Sequence, residues 1–465
     1  MIGPSDLVRA HTAFSPSSRH TRLDDLNETG LNAALESGAF DAIVLASDGT
    51  GVSEPLLAML KQGSADGTAL VWLRVGSRAA PEVKDAAALA ALDAAGWKLI
   101  DVTPVISSDD TDETPSASVI RAIIGADSAP VTVAALGMRK IAGVTEARID
   151  HPMSALASRP LVRATWGAGG VQVPSGWPPG VLILHRQFMD GAGFVDAIEK
   201  RIAAGWVVVS EIDDDPRHWP QFGNAGYRAF RGVHAVSVST EPLAKMIRRL
   251  NPHVRIFPNA IPYLPVAEPG TPKNGRRVRV FFGAINREKD WAGIVRSLEK
   301  VALELADIIE FVVVHDRAFF DALPDVAKFF TETLPYDDYL ALMATCDIAL
   351  LPLNDTPFNR LKSDIKFIEC CAAGVVPICS GPLYAENPRH REIGVFAETP
   401  KNWIRALRAL AHDPEDLARR RGLALDYVRT ERMHADQAAL RETTYRALIA
   451  DRDMLERDRQ ARLAT

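Results

Sequence analysis

The chain has 465 residues, too many for one hydrophobic core and suited to two or three domains. Apolar residues make up 47% and charged ones 24%, with a formal net charge of −6, which is ordinary for a soluble globular protein and excludes the basic profile of a nucleic-acid binder. No apolar run of ~18 residues occurs, and MIGPSDLVRAHTAF at the N-terminus lacks the apolar centre of a signal peptide, so neither a spanning helix nor a secretory leader is expected.

Residues 1–130 contain three short β-rich runs, DAIVLAS (41–47), TALVWLRV (68–75) and WKLIDVTPVI (97–106). Ala/Leu-rich helical stretches, SEPLLAMLKQG and APEVKDAAALAALDAAG, lie between them, so the alternation predicts a parallel α/β layer. SSDDTDETPSAS (107–118) reads as a linker. This segment weakly resembles the later half of a class I methyltransferase. No glycine-rich turn lies upstream of Asp41, however, so a layer without cofactor is expected.

Residues 131–268 carry the buried-strand candidates VLILHRQF (181–188), AGWVVVSEID (204–213) and VHAVSVS (233–239). Ser239 or Thr240 can cap a helix that opens on Glu241 and Pro242, and VRIFPNAI (254–261) is a further strand. PVAEPGTPKNG (265–275) reads as a hinge. Residues 269–440 repeat the strand–helix order through VRVFFGAI (278–285), EFVVVHD (310–316), CDIALLPL (346–353) and VVPICS (375–380), a second doubly wound layer. Residues 441–465 read as a charged helix. Cys346, Cys370, Cys371 and Cys379 lack C-x-x-C spacing and sit in apolar surroundings, which predicts buried free thiols and a reducing, cytoplasmic compartment.

The most informative stretch is PFNRLKSDIKFIECCAAGVVPICS (357–380). A helix starting near Ser363 places Lys362, Lys366 and Glu369 on one face at i, i+4 and i+7. Free N–H groups, the positive end of the helix dipole, a hydroxyl and two ammonium groups then make an anion site. Glu369, two turns in, is placed to accept from a vicinal diol. The alternative reading is an amphipathic helix with solvated lysines. Glu211, Asp213, Asp214 and Asp215 follow a strand at the edge where α/β layers bind ligands. They suit loop capping, a general base on an acceptor, or a magnesium or manganese site. His185, Arg186 and His218, with Trp219 beside it, belong to the same kind of edge.

The run from Glu369 to Ser380, E-C-C-A-A-G-V-V-P-I-C-S, resembles the signature of GT-B glycosyltransferases with a retaining-type, family 4-like donor domain, and the resemblance spans about residues 140–440. It implies an α/β fold with two Rossmann-like doubly wound domains facing a cleft, here preceded by the extra N-terminal α/β segment. It implies further that Glu369 binds the donor ribose. FFGAINREKDW (281–291) resembles the first loop of the donor domain, where Gly283 lets the backbone approach a diphosphate and Arg287 and Lys289 add positive charge. TLPYDDYLALMATCDIALLPL (333–353) resembles the segment bordering the nucleobase, with Tyr336 able to stack, and FPNAI (257–261) the interdomain turn at Asn259. The family's first glutamate is replaced by Leu361, followed by Lys362 and Ser363.

The expected donor-binding set is therefore Gly283, Arg287, Lys289, Tyr336, Lys362, Ser363, Lys366 and Glu369. The expected catalytic set is Asp213, Asp214 and Lys366, and the acceptor-side set is His185, Arg186 and His218. The resemblance implies no cofactor and no required metal. It implies a nucleoside diphosphate sugar as donor and a saccharide, lipid-linked or protein hydroxyl as acceptor, in bacterial polysaccharide or glycoprotein synthesis. Peripheral contact with the inner face of a membrane stays open. A sugar-nucleotide epimerase, a degenerate binding protein and a methyltransferase fusion are the rival readings.

Overall fold

The computed structural model describes residues 129–464 apart from 140–142, 160, 266–275 and 286. Before residue 129 it describes four strands and residues 57, 58, 60, 61, 90–95 and 97. The strands are β1 (Phe40–Ser47), β2 (Ser64–Val75), β3 (Lys98–Val105) and β4 (Ala117–Ile123), in the order β1-β2-β4-β3. The expectation of an all-parallel layer is corrected here: β1 and β2 are parallel, but β4 runs antiparallel to both β2 and β3. The strand ASVIRAI begins inside the stretch read as a linker. Trp97 is buried and its indole Nε1 donates to the Leu57 carbonyl at 2.9 Å, pinning the two helical pieces together. Residues 1–39, where a methyltransferase turn would stand, lie outside the described residues.

The second sheet contains β5 (Val131–Gly137), β6 (Val162–Ala168), β7 (Val181–His185), β8 (Val207–Ile212), β9 (Ala235–Val238) and β10 (Val254–Ile256). All pair in parallel, in the order β10-β9-β8-β7-β5-β6. Every residue of VLILH and VVVSEI is buried, as strands covered by helices on both faces must be. Helices α1 (His151–Ala157), α2 (Ala192–Ala203) and α3 (Glu241–Ile247) belong to this layer. Thr240, rather than Ser239, caps α3, its Oγ1 accepting from the Leu243 N–H.

The third sheet contains β11 (Val278–Gly283), β12 (Ile309–Val314), β13 (Lys328–Thr331), β14 (Ile348–Leu351), β15 (Val376–Cys379) and β16 (Val395–Phe396). The order is β13-β12-β11-β14-β15-β16, again all parallel. Helices α4 (Val295–Glu304), α5 (Tyr336–Met343), α6 (Ile365–Ala372), α7 (Pro400–His412) and α8 (Pro414–Glu431) cover it. Its core gathers Leu298, Phe311, Phe319, Ile348 and Trp403, each fully or almost fully buried, and each such side chain contributes about 1.5–3 kcal/mol. All four cysteines are buried and free, which fits the apolar neighbourhoods their sequence showed.

The strand order reverses between β11 and β14 in the third sheet and between β5 and β7 in the second. Ligands of open parallel sheets bind outside the carboxyl ends of the strands at such reversals. After α8 the chain crosses back at Arg432, and α9 (His434–Ala450) and α10 (Arg452–Ala464) pack on the second layer. Tyr445, Leu448 and Leu455 join that layer's core, and the Tyr445 ring meets Phe257 edge-on at 5.9 Å. Among the described residues no helix is long and apolar enough to cross a membrane.

Candidate active site between the two parallel layers

A cavity of about 260 Å³ opens at the β11/β14 reversal. Gly283, Ala284 and Ile285 line it from the end of β11, and Leu351, Pro352 and Leu353 from the end of β14. Gly143 and Val144, in the loop after β5, close it from the second layer. Gly283 is required by space: a Cβ there would stand 2.9 Å from the rings of Phe281 and Tyr339.

The charged centre of the cavity is on α6. Glu369 and Lys366 both line it, and the Lys366 Nζ donates to Glu369 Oε2 at 3.1 Å and to the Tyr339 hydroxyl at 3.0 Å. The same ammonium sits 4.5 Å from the centre of the Tyr339 ring. The Lys366 side chain is 40% exposed and that of Glu369 only 3%, so the cation is open to the cavity while the carboxylate is held beneath it. Burial works against the charge on Lys366, but Glu369 and Tyr339 prevail and raise its pKa above the ordinary lysine value. Lys366 is therefore a fixed cation and not a proton acceptor. Tyr336 is buried beside this pair, its pKa pushed up by burial and by the Glu369 charge. Its ring lies 5.2 Å from that of His151 on α1, whose pKa burial lowers to about 4. Tyr336 is thus held by the second layer.

Arg287 also lines the cavity, steadied at 2.9 Å by Asp290 and at 3.2 Å by Asn359. Lys289 does not: it is exposed, outside the cavity lining, and its carbonyl accepts from Asn354. Lys362 and Ser363 are likewise placed away from the cavity. The helix begins at Ile365, two residues later than the anion-site reading requires, and a short 3₁₀ turn over Asn359–Leu361 and an extended Lys362 precede it. The i, i+4, i+7 face of Lys362, Lys366 and Glu369 therefore does not form. Lys362 instead donates to Asp214 at 2.9 Å across the layers, and the Ser363 hydroxyl accepts from the Asn259 amide at 2.6 Å. Leu361, at the position of the family's first glutamate, is buried, and its carbonyl accepts from Thr240 Oγ1 at 2.9 Å.

The acidic cluster at the end of β8 is used up by its neighbours. Glu211 is buried against Arg148, with a 2.7 Å bond from Nε, and accepts from Ser237. Arg148 also reaches the Phe257 carbonyl and Asn259 Oδ1, tying the end of β8 to the interdomain turn. Asp213 accepts two bonds from Arg186, at 2.7 and 2.9 Å, with His185 at 3.6 Å. Burial would raise the Asp213 pKa, but the charge and the two bonds of Arg186, with His185 nearby, hold it well below the usual carboxylate range. Asp213, expected in the catalytic set, is thus engaged by Arg186 at this edge. Asp214 is paired with Lys362, and Asp215 caps the 3₁₀ turn Pro216–His218 by accepting from the Arg217 N–H. Arg186 lies 5.0 Å over the Trp219 ring, and His185 is buried, so neither is open to an acceptor. His218 is exposed and faces Phe358 of the third layer at 5.3 Å. Among the described residues no cluster of His, Cys, Asp and Glu has the arrangement of a metal site.

Sequence reasoning missed Tyr339, Gly143, Val144, His315 and Thr333, all of which line the cavity. Tyr339 was within reach, because it stands one turn after Tyr336 on the same helix. No sequence signal marks Gly143 and Val144, which reach the cavity only because the two layers face each other.

No protein-family model matches the chain, and no curated protein matches it in sequence. Among solved structures, HepE of Anabaena, in complex with UDP and glucose, is similar at 12% identity and a TM-score of 0.50, over 68% of this chain and 100% of that one. WaaG, a glycosyltransferase involved in lipopolysaccharide biosynthesis, is similar at 14% identity and a TM-score of 0.48, over 68% and 98% of the two chains. At these identities the likeness speaks to the fold.

Proposed function

We propose that this chain, whose two facing parallel layers have the GT-B fold, transfers a sugar from a nucleoside diphosphate sugar to a hydroxyl acceptor. The observation that carries the reading is the Lys366–Glu369 pair on α6, open to a cavity at the strand reversal, with Arg287 and the close-packed Gly283 beside it. A fixed cation beside a buried carboxylate suits a diphosphate next to a ribose diol. The HepE neighbour, solved with UDP and glucose on the same fold, supports that ligand class.

In this reading the bond between the anomeric carbon and the diphosphate breaks while the acceptor oxygen bonds to that carbon. Lys366 and Arg287 hold the negative charge that grows on the departing phosphate, a preorganised electrostatic role that one group commonly fills with about 3 kcal/mol. These cations make a resident metal unnecessary. Glu369 accepts from the ribose hydroxyls, and Tyr336 and Tyr339 border the nucleoside. Asp213 is locked to Arg186, and Glu369 is the one carboxylate among the described residues lining the cavity. In this reading the acceptor proton passes to the departing phosphate oxygen. The acceptor is a saccharide, lipid-linked or protein hydroxyl of bacterial polysaccharide or glycoprotein synthesis. The four free thiols favour the cytoplasm, with the inner face of the membrane as the place of a lipid-linked acceptor.

Thermal melts with UDP, GDP, dTDP and ADP test this. One of them, at about 100 times its Kd, stabilises the protein by ~2.7 kcal/mol. Four unshifted melts would end the proposal.

A further inference from the structure

Three tyrosines line the cavity at the strand reversal, and their hydroxyls are disposed differently. That of Tyr339 accepts from Lys366, and that of Tyr336 is sealed from accessible surface. The Tyr384 hydroxyl makes no hydrogen bond among the described residues and is not sealed in this way, although the residue as a whole is only 5% exposed. The surface it keeps therefore opens on the cavity that it lines. Burial raises the Tyr384 pKa, and the charge of Arg287, which lines the same cavity, opposes the rise. The phenol is thus a neutral donor within the field of that cation.

The ring is held in place from outside the cavity. It stands on a short helix, Pro382–Ala385, just after β15, and stacks on Phe367 of α6 at 5.9 Å. The His390 Nδ1 lies 3.1 Å from the Tyr384 carbonyl oxygen, and the His390 ring stacks in turn on Phe367 at 3.9 Å. The turn into this helix needs glycine. Gly381 has a φ of +90°, and a Cβ there would stand 2.7 Å from the Leu353 carbonyl oxygen. A phenol fixed in this way loses little freedom when it bonds a ligand.

Its place along the sheet edge fits one part of a sugar nucleotide. Lys366, beside Glu369, bonds to Tyr339, which packs against Gly283 at the end of β11. β15 lies two strands further along, beyond β14, which is about 10 Å at the usual strand spacing. His315 and Thr333 line the cavity on the opposite side, past the ends of β12 and β13. A nucleotide with its ribose on Glu369 and its base toward His315 and Thr333 leads its diphosphate past Arg287 toward Tyr384. Leu351, Leu353 and Ile365, which cluster with Tyr384 and line the cavity there, are apolar. From this placement, and resting on the sugar-nucleotide reading, we infer that Tyr384 is a specificity-determining residue, whose hydroxyl donates to an oxygen of the transferred sugar and so distinguishes the sugar nucleotide from the bare nucleotide.

Calorimetry on the full chain, with UDP-glucose, UDP-N-acetylglucosamine, GDP-mannose and dTDP-rhamnose beside UDP, GDP and dTDP, tests the inference. Tyr384→Phe keeps the stacked ring and removes the hydroxyl. It weakens the sugar nucleotide that the parent binds about fivefold, the value of one neutral hydrogen bond, and leaves the Kd of the matching nucleoside diphosphate within about twofold. Because the hydroxyl has no partner in the protein, the melting temperature without ligand does not fall. The inference is overturned if the variant binds both ligands as the parent does, if both weaken alike, if none of the four sugar nucleotides binds the parent, or if the ligand-free melt drops. Failure of the donor reading looks different: the parent then binds none of the three nucleoside diphosphates, and Tyr384 loses its role with it.

Discussion

The two parallel layers each place an acid–base pair at the carboxyl edge of a six-stranded sheet, and the two pairs behave differently. In the second layer Asp213 takes two bonds from Arg186, which Trp219 covers, and neither partner of this pair is more than 14% exposed. In the third layer the Glu369 carboxylate is more deeply buried, at 3%, but its partner Lys366 is 40% exposed and opens on a cavity. The difference comes from where the partner is attached. Arg186 stands on the backbone just past β7, in a left-handed conformation that turns its side chain back onto β8. Lys366 stands one turn before Glu369 on α6 and shares its helix face. Position at a sheet edge therefore does not make a pair functional; an open face on one partner does.

Four measurements break or sharpen this contrast. Lys366→Ala has the largest expected effect. Transfer, or slow hydrolysis of the sugar nucleotide, falls about 100-fold in kcat with a few-fold change in donor Kd, because the cation acts most on the charge developed during cleavage. The melting temperature also drops, since Glu369 loses its partner, and Lys366→Met combined with Glu369→Gln recovers stability without recovering turnover. Full activity in Lys366→Ala would make the two pairs equivalent and the contrast empty.

Asp213→Asn comes second and acts on the fold. It leaves the Arg186 guanidinium uncompensated and costs about 2 kcal/mol in urea unfolding. Nucleotide affinity stays within twofold. A large loss of turnover at unchanged stability would return Asp213 to the catalytic set.

Glu369→Gln keeps the shape and removes the charge. Calorimetry then shows nucleotide affinity weakened about tenfold, the value of one charge-assisted bond to a ribose hydroxyl. An unaltered Kd in a folded variant takes Glu369 out of the site.

The smallest effect is that of pH. A lysine whose pKa is raised keeps its charge at every pH below that raised value, so the cation contributes fully from about pH 7 to 9. Nucleotide affinity is flat across that window. A fall on the alkaline side would show that Lys366 titrates there and that Glu369 and Tyr339 do not hold its proton.

Much of the architecture was legible in the chain itself. The apolar runs VLILH and VRVFFG and the alternation with helices mark parallel layers, because strands covered by helices on both faces read as near-continuous apolar runs. The E-C-C-A-A-G-V-V-P stretch marked α6 and Glu369, and the strand end marked Gly283. β6 and β13, whose burial is partial, and the antiparallel β4 carried no comparable pattern. Which charges face the cavity was decided only by tertiary structure. Lys362 and Lys366 are the same residue type four positions apart, and a helix through both would have paired them. The 3₁₀ turn and the delayed start of α6 send Lys362 to Asp214 and leave Lys366 to Glu369, since a carboxylate across the cleft competes for the first and one a helical turn away holds the second.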